Sequence, residues 1–291
     1  MSDNHNNHNT SGKGNVDNSI ECSNNGNDRK NEEPIVVKIL KIEDEAKNIK
    51  TFHLDIKLES KPGQFVMLWI PGLNEKPFSI YESENVLKLT VAKVGEFTEK
   101  LFSYKVGDKI GVRGPYGKPF SIAGKHIALV GGGYGSAPLT FLAKEALKQG
   151  IKSELIIGAR NKELLLYMDK EYPDEIKRHY CTDDGSYGFK GFTTERLKEI
   201  LKEKKIDTIY TVGPELMMKK IVDISDEYNA GCQISLERYM KCGFGVCAVC
   251  CVDPLGLRMC VEGPCIDKQT AKQITEFGKY HRDAAGKKIK F

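Results

Sequence analysis

Four thiols stand close together near the end of the chain, as Cys242-Gly-Phe-Gly-Val-Cys247-Ala-Val-Cys250 followed by Cys260. The pattern is C-x4-C-x2-C-x9-C, and its opening is the spacing with which plant-type [2Fe–2S] ligands are set. Four thiolates must reach two sulfide-bridged irons, so three come from one tight loop and the fourth from a nearby strand. Gly243, Gly245 and Ala248 are small enough to let backbone N–H groups approach the sulfurs, where hydrogen bonds stabilise an anionic cluster. Such a loop cannot be regular helix or sheet and has to be carried by a fold built around it. A zinc site is the competing reading, but it would normally show two separated C-x2–4-C pairs around one tetrahedral ion. Cys251 follows a ligand directly, so on an extended backbone its side chain should point away, as a buried thiol. Cys265 is a reserve candidate for the fourth position.

Seven of the nine cysteines lie between Cys232 and Cys265, which reads as a site and not as a disulfide framework. The N-terminus is polar, with Val16 and Ile20 as its only branched aliphatic residues before Pro34, and it has no apolar core of a secretory leader. The thiols are therefore expected to be reduced and the location cytoplasmic. No apolar run approaches the ~20 residues of a membrane helix. The net charge of +4 is spread over interleaved basic and acidic residues, so no nucleic-acid footprint is expected either. At 291 residues the chain is long enough for two domains and a small appendage.

Residues 1–33, with ten Asn, are expected to form a disordered tail. From 34 to 123 short runs rich in Val, Ile, Leu, Phe and Thr recur: Ile35 to Ile42, Phe52 to Ile56, Gln64 to Ile70, Leu87 to Val94 and Lys109 to Arg113. One helical segment, Glu96 to Tyr104, interrupts them, and the spacing suggests a small β-barrel. Over 124–231 the period changes to strands 126–131, 153–158 and 207–212 alternating with helices 136–149, 161–170 and 214–229. That alternation implies an α/β, Rossmann-like unit with a mostly parallel sheet. Residues 232–270 form the cysteine-rich domain and 271–291 a polar, basic tail.

Two further groups of residues carry chemistry. In Lys76-Pro77-Phe78-Ser79, following a strand that ends at Pro71, Ser79 offers a hydroxyl to a flavin edge and Lys76 a cation to a phosphate. Thr98, in the first turn of the helix opened by Gly95, adds an anion site. In the second unit a strand runs into Gly131-Gly132-Gly133-Tyr-Gly135-Ser-Ala-Pro138, the strand, glycine turn and helix start with which a backbone approaches a pyrophosphate. The fit to G-x-G-x-x-G is incomplete, and the second strand closes on Gly158-Ala-Arg160 without an acid, so NAD and NADP both remain open. Asp183-Asp184-Gly185 and Gly213-Pro214 lie in loops near carboxyl ends of strands, where ligands settle in open α/β sheets. Each of these fragments, taken singly, also reads as ordinary turn punctuation.

Taken in order, these residues resemble the ferredoxin reductase-type superfamily, and more closely the electron-transfer subunits of NAD-linked dihydroorotate dehydrogenases, over roughly residues 34–266. Lys76 to Ser79 stands at the family's R-P-x-S flavin motif, with Lys in place of Arg. Val91-Ala92-Lys93 and Gly95 to Thr98 match its ribityl and pyrophosphate segments. Gly131 to Pro138, Asp183 to Gly188 and Gly213-Pro214 match its nicotinamide loops. Leu236-Glu-Arg-Tyr-Met-Lys-Cys242 and Gly256-Leu-Arg-Met-Cys260-Val-Glu-Gly-Pro264 match its cluster loop. The resemblance implies a flavin-binding β-barrel, a Rossmann-like domain and a C-terminal cluster domain, holding FAD, a [2Fe–2S] cluster and NAD. It also implies a partner, an FMN-bearing catalytic subunit that oxidises dihydroorotate in pyrimidine biosynthesis, in a heterotetramer of two of each. Two rival readings remain: a related reductase subunit serving ferredoxin, NADP or sulfide chemistry, and a zinc-bearing interaction protein without redox activity.

Overall fold

The computed structural model describes residues 33–168, 170 and 172–291, so the expected tail falls almost wholly outside the described residues. Six antiparallel strands form the first layer: β1 (Ile35–Ala46), β2 (Ile49–Leu54), β3 (Phe65–Ile70), β4 (Asn74–Ser79), β5 (Leu87–Ala92) and β6 (Lys109–Tyr116), in the order β4-β3-β6-β1-β2-β5. The edge strands β4 and β5 touch without a hydrogen-bonded ladder, which leaves a slot in the barrel wall. Helix α1 (Glu96–Phe102) follows β5, and its Phe97 and Leu101 close the barrel core with Phe52, Leu68 and Leu89.

β3 shows how the sequence positions everything else. Its side chains alternate, as a strand's must. Val66, Leu68 and Ile70 fill the barrel, while Phe65 and Met67 point the other way into a core shared with the second sheet and the cysteine-rich segment. That is why Phe-Val-Met-Leu-Trp-Ile is apolar without interruption: both faces are covered, and each fully buried side chain contributes ~1.5–3 kcal/mol.

The second sheet runs β10-β9-β8-β7-β11-β12-β15. β7 (His126–Gly132), β8 (Lys152–Ala159), β9 (Ile176–Thr182), β10 (Phe189–Lys190), β11 (Thr208–Val212) and β12 (Gly231–Ser235) are parallel, and only β15 (Cys265–Asp267) is antiparallel. Helices α2 (Ser136–Lys148), α3 (Thr193–Glu203) and α4 (Glu215–Glu227) make the crossovers. The chain winds outward from β7 through β8 to β10 and then returns to β11, so the strand order reverses between β7 and β11. The short pair β13 (Cys251–Val252) and β14 (Leu257–Arg258) flanks the cysteine loop, and α5 (Lys268–Gln273) precedes a terminal hairpin of β16 (Tyr280–Arg282) and β17 (Lys288–Lys290). α5 straddles residue 270, and Ala271, Ile274 and Phe277 bury themselves in the shared core, so the chain beyond 270 docks on the body.

One expectation needs correction, and the fold adds elements beyond those expected. No α-helix forms among the described residues of 161–170: a single 3-10 turn, Lys162–Leu164, precedes Leu165, Leu166 and Tyr167, three consecutive residues at 3%, 0% and 1% exposure. Consecutive burial is incompatible with one helical face and favours irregular backbone. Strand β9 and helix α3 went unanticipated, because Ile-Lys-Arg-His-Tyr-Cys-Thr is polar for a strand. Lys76 to Ser79 is itself strand β4, and Pro77 is tolerated there because β4 is an edge.

A buried charge cluster ties the sheet to α3. Glu154, with its side chain 2% exposed, accepts from His126 Nε2 (3.0 Å), His179 Nε2 (2.7 Å) and Lys204 Nζ (2.6 Å). Burial alone would raise this carboxyl, but the bonds from His179, Lys204 and His126 outweigh it and hold it at about 2, against an ordinary 4.5. A depressed carboxylate stabilises the fold above its unfolded value and loses that contribution as the pH falls toward its folded one; here this amounts to on the order of 3 kcal/mol. Glu154→Gln is expected to lower the urea midpoint at neutral pH, with the gap from wild type closing between about pH 5 and pH 2. A gap that does not change over that range would assign the effect to packing.

Candidate functional site

The cysteine loop leaves β12 through Leu236 to Lys241 and turns back through β13 and β14. Gly243 (φ +84°), Gly245 (φ +89°) and Ala248 (φ +55°) occupy the left-handed region, which curls the backbone around the sulfurs. Cys250 and Cys260 bring their Sγ atoms to 3.4 Å. Cys242 and Cys247 also interact through their thiols, so the four sulfurs gather as two pairs. Burial opposes ionisation of Cys242, yet N–H groups of Cys247, Phe244 and Val246 together with the Cys247 thiol pull it down to about 7. In the Cys250–Cys260 pair the contact between the thiols eases the first proton off Cys250 and holds the second on Cys260. These are donor atoms suited to a soft, dinuclear cationic group held by pairs of thiolates.

Neither spare cysteine joins them. Cys265, on β15, is buried with its Sγ 3.6 Å from the Gly63 carbonyl of the barrel, and burial pushes its thiol up. A Cβ at Gly63 would stand 2.3 Å from that sulfur, so the contact demands glycine. Cys251 is half-buried, not the buried thiol expected.

The loop sits on the outer face of β3 and β6. A Cβ at Gly243 would meet Met67 Cγ at 2.8 Å, and Phe244 packs its ring 6.4 Å from that of Tyr116. Arg113, on β6, reaches the Cys242 carbonyl at 3.0 Å. Sequence reasoning passed over Arg113, since an Arg beside Val112 in a strand reads as solvent-facing. Arg258 is bound to Glu262 and the Gly245 carbonyl, and Arg238 is 6% exposed and bound to Glu215 and Glu276. Arg238 is thus a buried cation held by two carboxylates, whereas Arg258 is partly exposed.

The flavin candidates collect at the slot between β4 and β5. Ser79 lies opposite Phe65, on the face turned toward the second sheet. Phe78 packs its ring 5.8 Å from Phe97, which brings β4 beside the start of α1. Val91 is buried, Ala92 half-buried, and Lys93 and Gly95 exposed, with nothing within 4 Å of where a Gly95 Cβ would be. This open edge, with an extended strand on either side, has the shape a flat ring system and its chain require. Two details differ from expectation. The Thr98 hydroxyl donates to the Gly95 carbonyl and accepts from the N–H groups of Val94 and Gly95, so it is spent on capping and is not offered to an anion. Lys76 Nζ sits 4.7 Å above the Tyr239 ring, at the cluster segment.

The dinucleotide candidates meet at the reversal of strand order between β7 and β11, where ligands lie in open α/β sheets. Here the glycines are demanded by loop packing. A Cβ on Gly131 would strike Ser136, on Gly132 Pro214, on Gly135 the Val212 carbonyl, and on Gly213 the Gly132 backbone. Only Gly133 of the five faces open space, at φ +55°. Pro138 is buried in the first turn of α2, and Ser136 Oγ beside it is buried without a hydrogen-bond partner. That unmet hydroxyl at a helix start fits a dinucleotide's pyrophosphate region. Asp183, Asp184 and Gly185 form an exposed turn after β9, against Ala159 and Arg160 at the end of β8. Asp184 accepts from Ser186, which holds its carboxyl low.

Comparison with known proteins agrees with this geometry. Residues 237–271 match the model of the iron–sulfur cluster binding domain of dihydroorotate dehydrogenase B, and residues 129–223 that of the oxidoreductase NAD-binding domain. The probable dihydroorotate dehydrogenase B (NAD(+)) electron transfer subunit of Methanocaldococcus jannaschii is 52% identical over 89% of this chain and 99% of its own length. The corresponding protein of Pyrococcus furiosus is 47% identical over 83% of this chain and 93% of its own. Among solved structures, an NADH-dependent reduced ferredoxin-NADP oxidoreductase superposes with a TM-score of 0.75 at 29% identity, covering 82% of this chain and 90% of that one. Phthalate dioxygenase reductase shares the fold, with a TM-score of 0.59 at 19% identity over 71% of this chain and 70% of that one. The chain belongs to the electron transfer subunits of NAD(+)-linked dihydroorotate dehydrogenase B.

Proposed function

We propose that the chain relays electrons from a separate FMN-bearing catalytic subunit, which oxidises dihydroorotate to orotate in pyrimidine biosynthesis, to NAD+. The observation that carries this reading is the seating of two thiol pairs on the wall of a barrel whose edge strand β5 lies against the Gly133–Gly135 turn of the dinucleotide crevice. When bound, a [2Fe–2S] cluster supplies one-electron transfer, and FAD converts single electrons into the hydride that NAD+ accepts. The protein's own part is placement. Cys242, Cys247, Cys250 and Cys260 would hold the cluster, with loop N–H groups turned to the Cys242 sulfur. Ser79 would meet the flavin edge, Pro77 and Phe78 set strand β4 against α1, and Val91 to Lys93 and Gly95 would line the course of its chain, while Lys76 lies over Tyr239 at the cluster segment. Gly131 to Pro138 and Gly213-Pro214 form the nicotinamide crevice, with Asp183 to Gly185 at its rim. We assign residues 34–123 to flavin, 124–231 to nicotinamide and 232–270 to the cluster, in a cytoplasmic assembly of two chains with two catalytic subunits. No helix among the described residues is long and apolar enough to cross a membrane.

Mixing the chain with its FMN subunit should yield NADH in proportion to the dihydroorotate consumed, and an absence of turnover with all cofactors present would remove the partner assignment. Cys260→Ser is expected to abolish iron and acid-labile sulfide. Cys251→Ser and Cys265→Ser should retain both, read by metal and sulfide analysis of anaerobically purified protein. Loss of the cluster in Cys265→Ser with retention in Cys260→Ser would reverse the choice of fourth ligand.

A further inference from the structure

Arg113 belongs to none of the motifs above, yet it joins three of their segments. It is 7% exposed on β6. Its Nε donates to Glu75 Oε1 at 2.9 Å and its Nη2 to the other oxygen of that carboxylate, in a fork-to-fork pair. Nη2 also donates to the Cys242 backbone carbonyl at 3.0 Å, and the guanidinium lies 5.4 Å from the Phe244 ring centroid and 5.8 Å from that of Tyr116. Glu75 directly precedes Lys76 on β4. One buried ion pair therefore spans the strand beside the flavin slot, the barrel wall and the first cysteine of the loop.

Seating the loop does not by itself call for charge. Buried ion pairs are weak stabilisers, and an apolar side chain of similar volume would fill the same seam without desolvating two ions. What an apolar residue would not supply is a positive charge hydrogen-bonded to the peptide of a cluster-holding thiolate. Such a charge favours the more negative, reduced state of the group. Glu75 opposes it, but its carboxylate reaches the loop only through Nη2, the nitrogen bonded to the Cys242 carbonyl, so the positive charge is the nearer of the two.

We propose that Arg113 is a positioning residue for electron transfer: it clamps the Cys242 end of the loop to the flavin barrel and raises the one-electron potential of the cluster, by an amount that Glu75 trims. This rests on the cluster assignment proposed above. The test is a redox titration of the cluster, followed by its electron paramagnetic resonance signal, in the full complex carrying Arg113→Met, Arg113→Lys or Glu75→Gln. Arg113→Met should disfavour reduction of the cluster about tenfold, or about 59 mV for a one-electron couple. Glu75→Gln should move the potential the other way, and Arg113→Lys, which keeps the charge but not the fork, should stay near wild type. A purely structural role predicts lost iron or lost stability in both Arg113→Met and Glu75→Gln, without opposite displacements. Potentials that stay put, or that move in the same direction in these two variants with the cluster intact, overturn the proposal. If Arg113→Met does not fold, an unshifted Glu75→Gln does so alone. Wild-type protein that takes up no iron would bring down the cluster assignment itself, and this inference with it, through a different signal.

Discussion

A loop that wraps four sulfurs cannot hydrogen-bond or bury itself as a helix or strand does, so its shape has to be imposed from outside. In this chain the imposing surface is the outer face of β3 and β6. Met67 fills the space left by the missing side chain of Gly243, Tyr116 receives Phe244, and Arg113 holds the Cys242 carbonyl. The barrel must therefore be apolar on two sides at β3, and the cysteine-rich segment must return from β12 to meet it. Neither would be required of a barrel or a parallel sheet folding alone.

The second sheet is coupled to the barrel at other points as well. The rings of Tyr81 and Tyr167 stack 5.1 Å apart, and the Tyr167 hydroxyl pairs with Thr90 at 2.7 Å. Phe120 meets Tyr210 edge-on at 5.5 Å, and Lys144 reaches Glu82 at 2.7 Å. Fixed at several places, the slot between β4 and β5 and the crevice between β7 and β11 hold a constant relation. Electron and hydride transfer both fall off steeply with misplacement of the reacting groups, so this rigidity is itself functional.

The sequence was most informative where local chemistry and local geometry coincide. The C-x4-C-x2-C-x9-C spacing can be read because three of its members share one loop, and the change from strand repeats to alternating strands and helices is a period that tertiary contacts do not disguise. Legibility failed where distant segments decide. Leu165 to Tyr167 look helical until the core takes all three, and Ile176 to Thr182 look too polar for a strand until Glu154 and Tyr167 engage His179 and Tyr180. The glycines after β7 suggested ligand approach, yet most are explained by the packing of one loop against another. Arg113 could not be found by pattern at all, because the segment that buries its face of β6 arrives more than a hundred residues later.

Arg238 has a consequence for how such a molecule is made. Its guanidinium stands between Glu215, at the start of α4, and Glu276, beyond α5, with both carboxylates at 2.7 Å. During synthesis Arg238 emerges after its first carboxylate and well before its second. Until residue 276 has followed, the cation has only half its buried coordination, and the cysteine loop that begins four positions later hangs from an unfinished anchor. Final assembly of the iron-holding end is thereby tied to the arrival of residue 276, an ordering that would discourage premature capture of metal by exposed thiols.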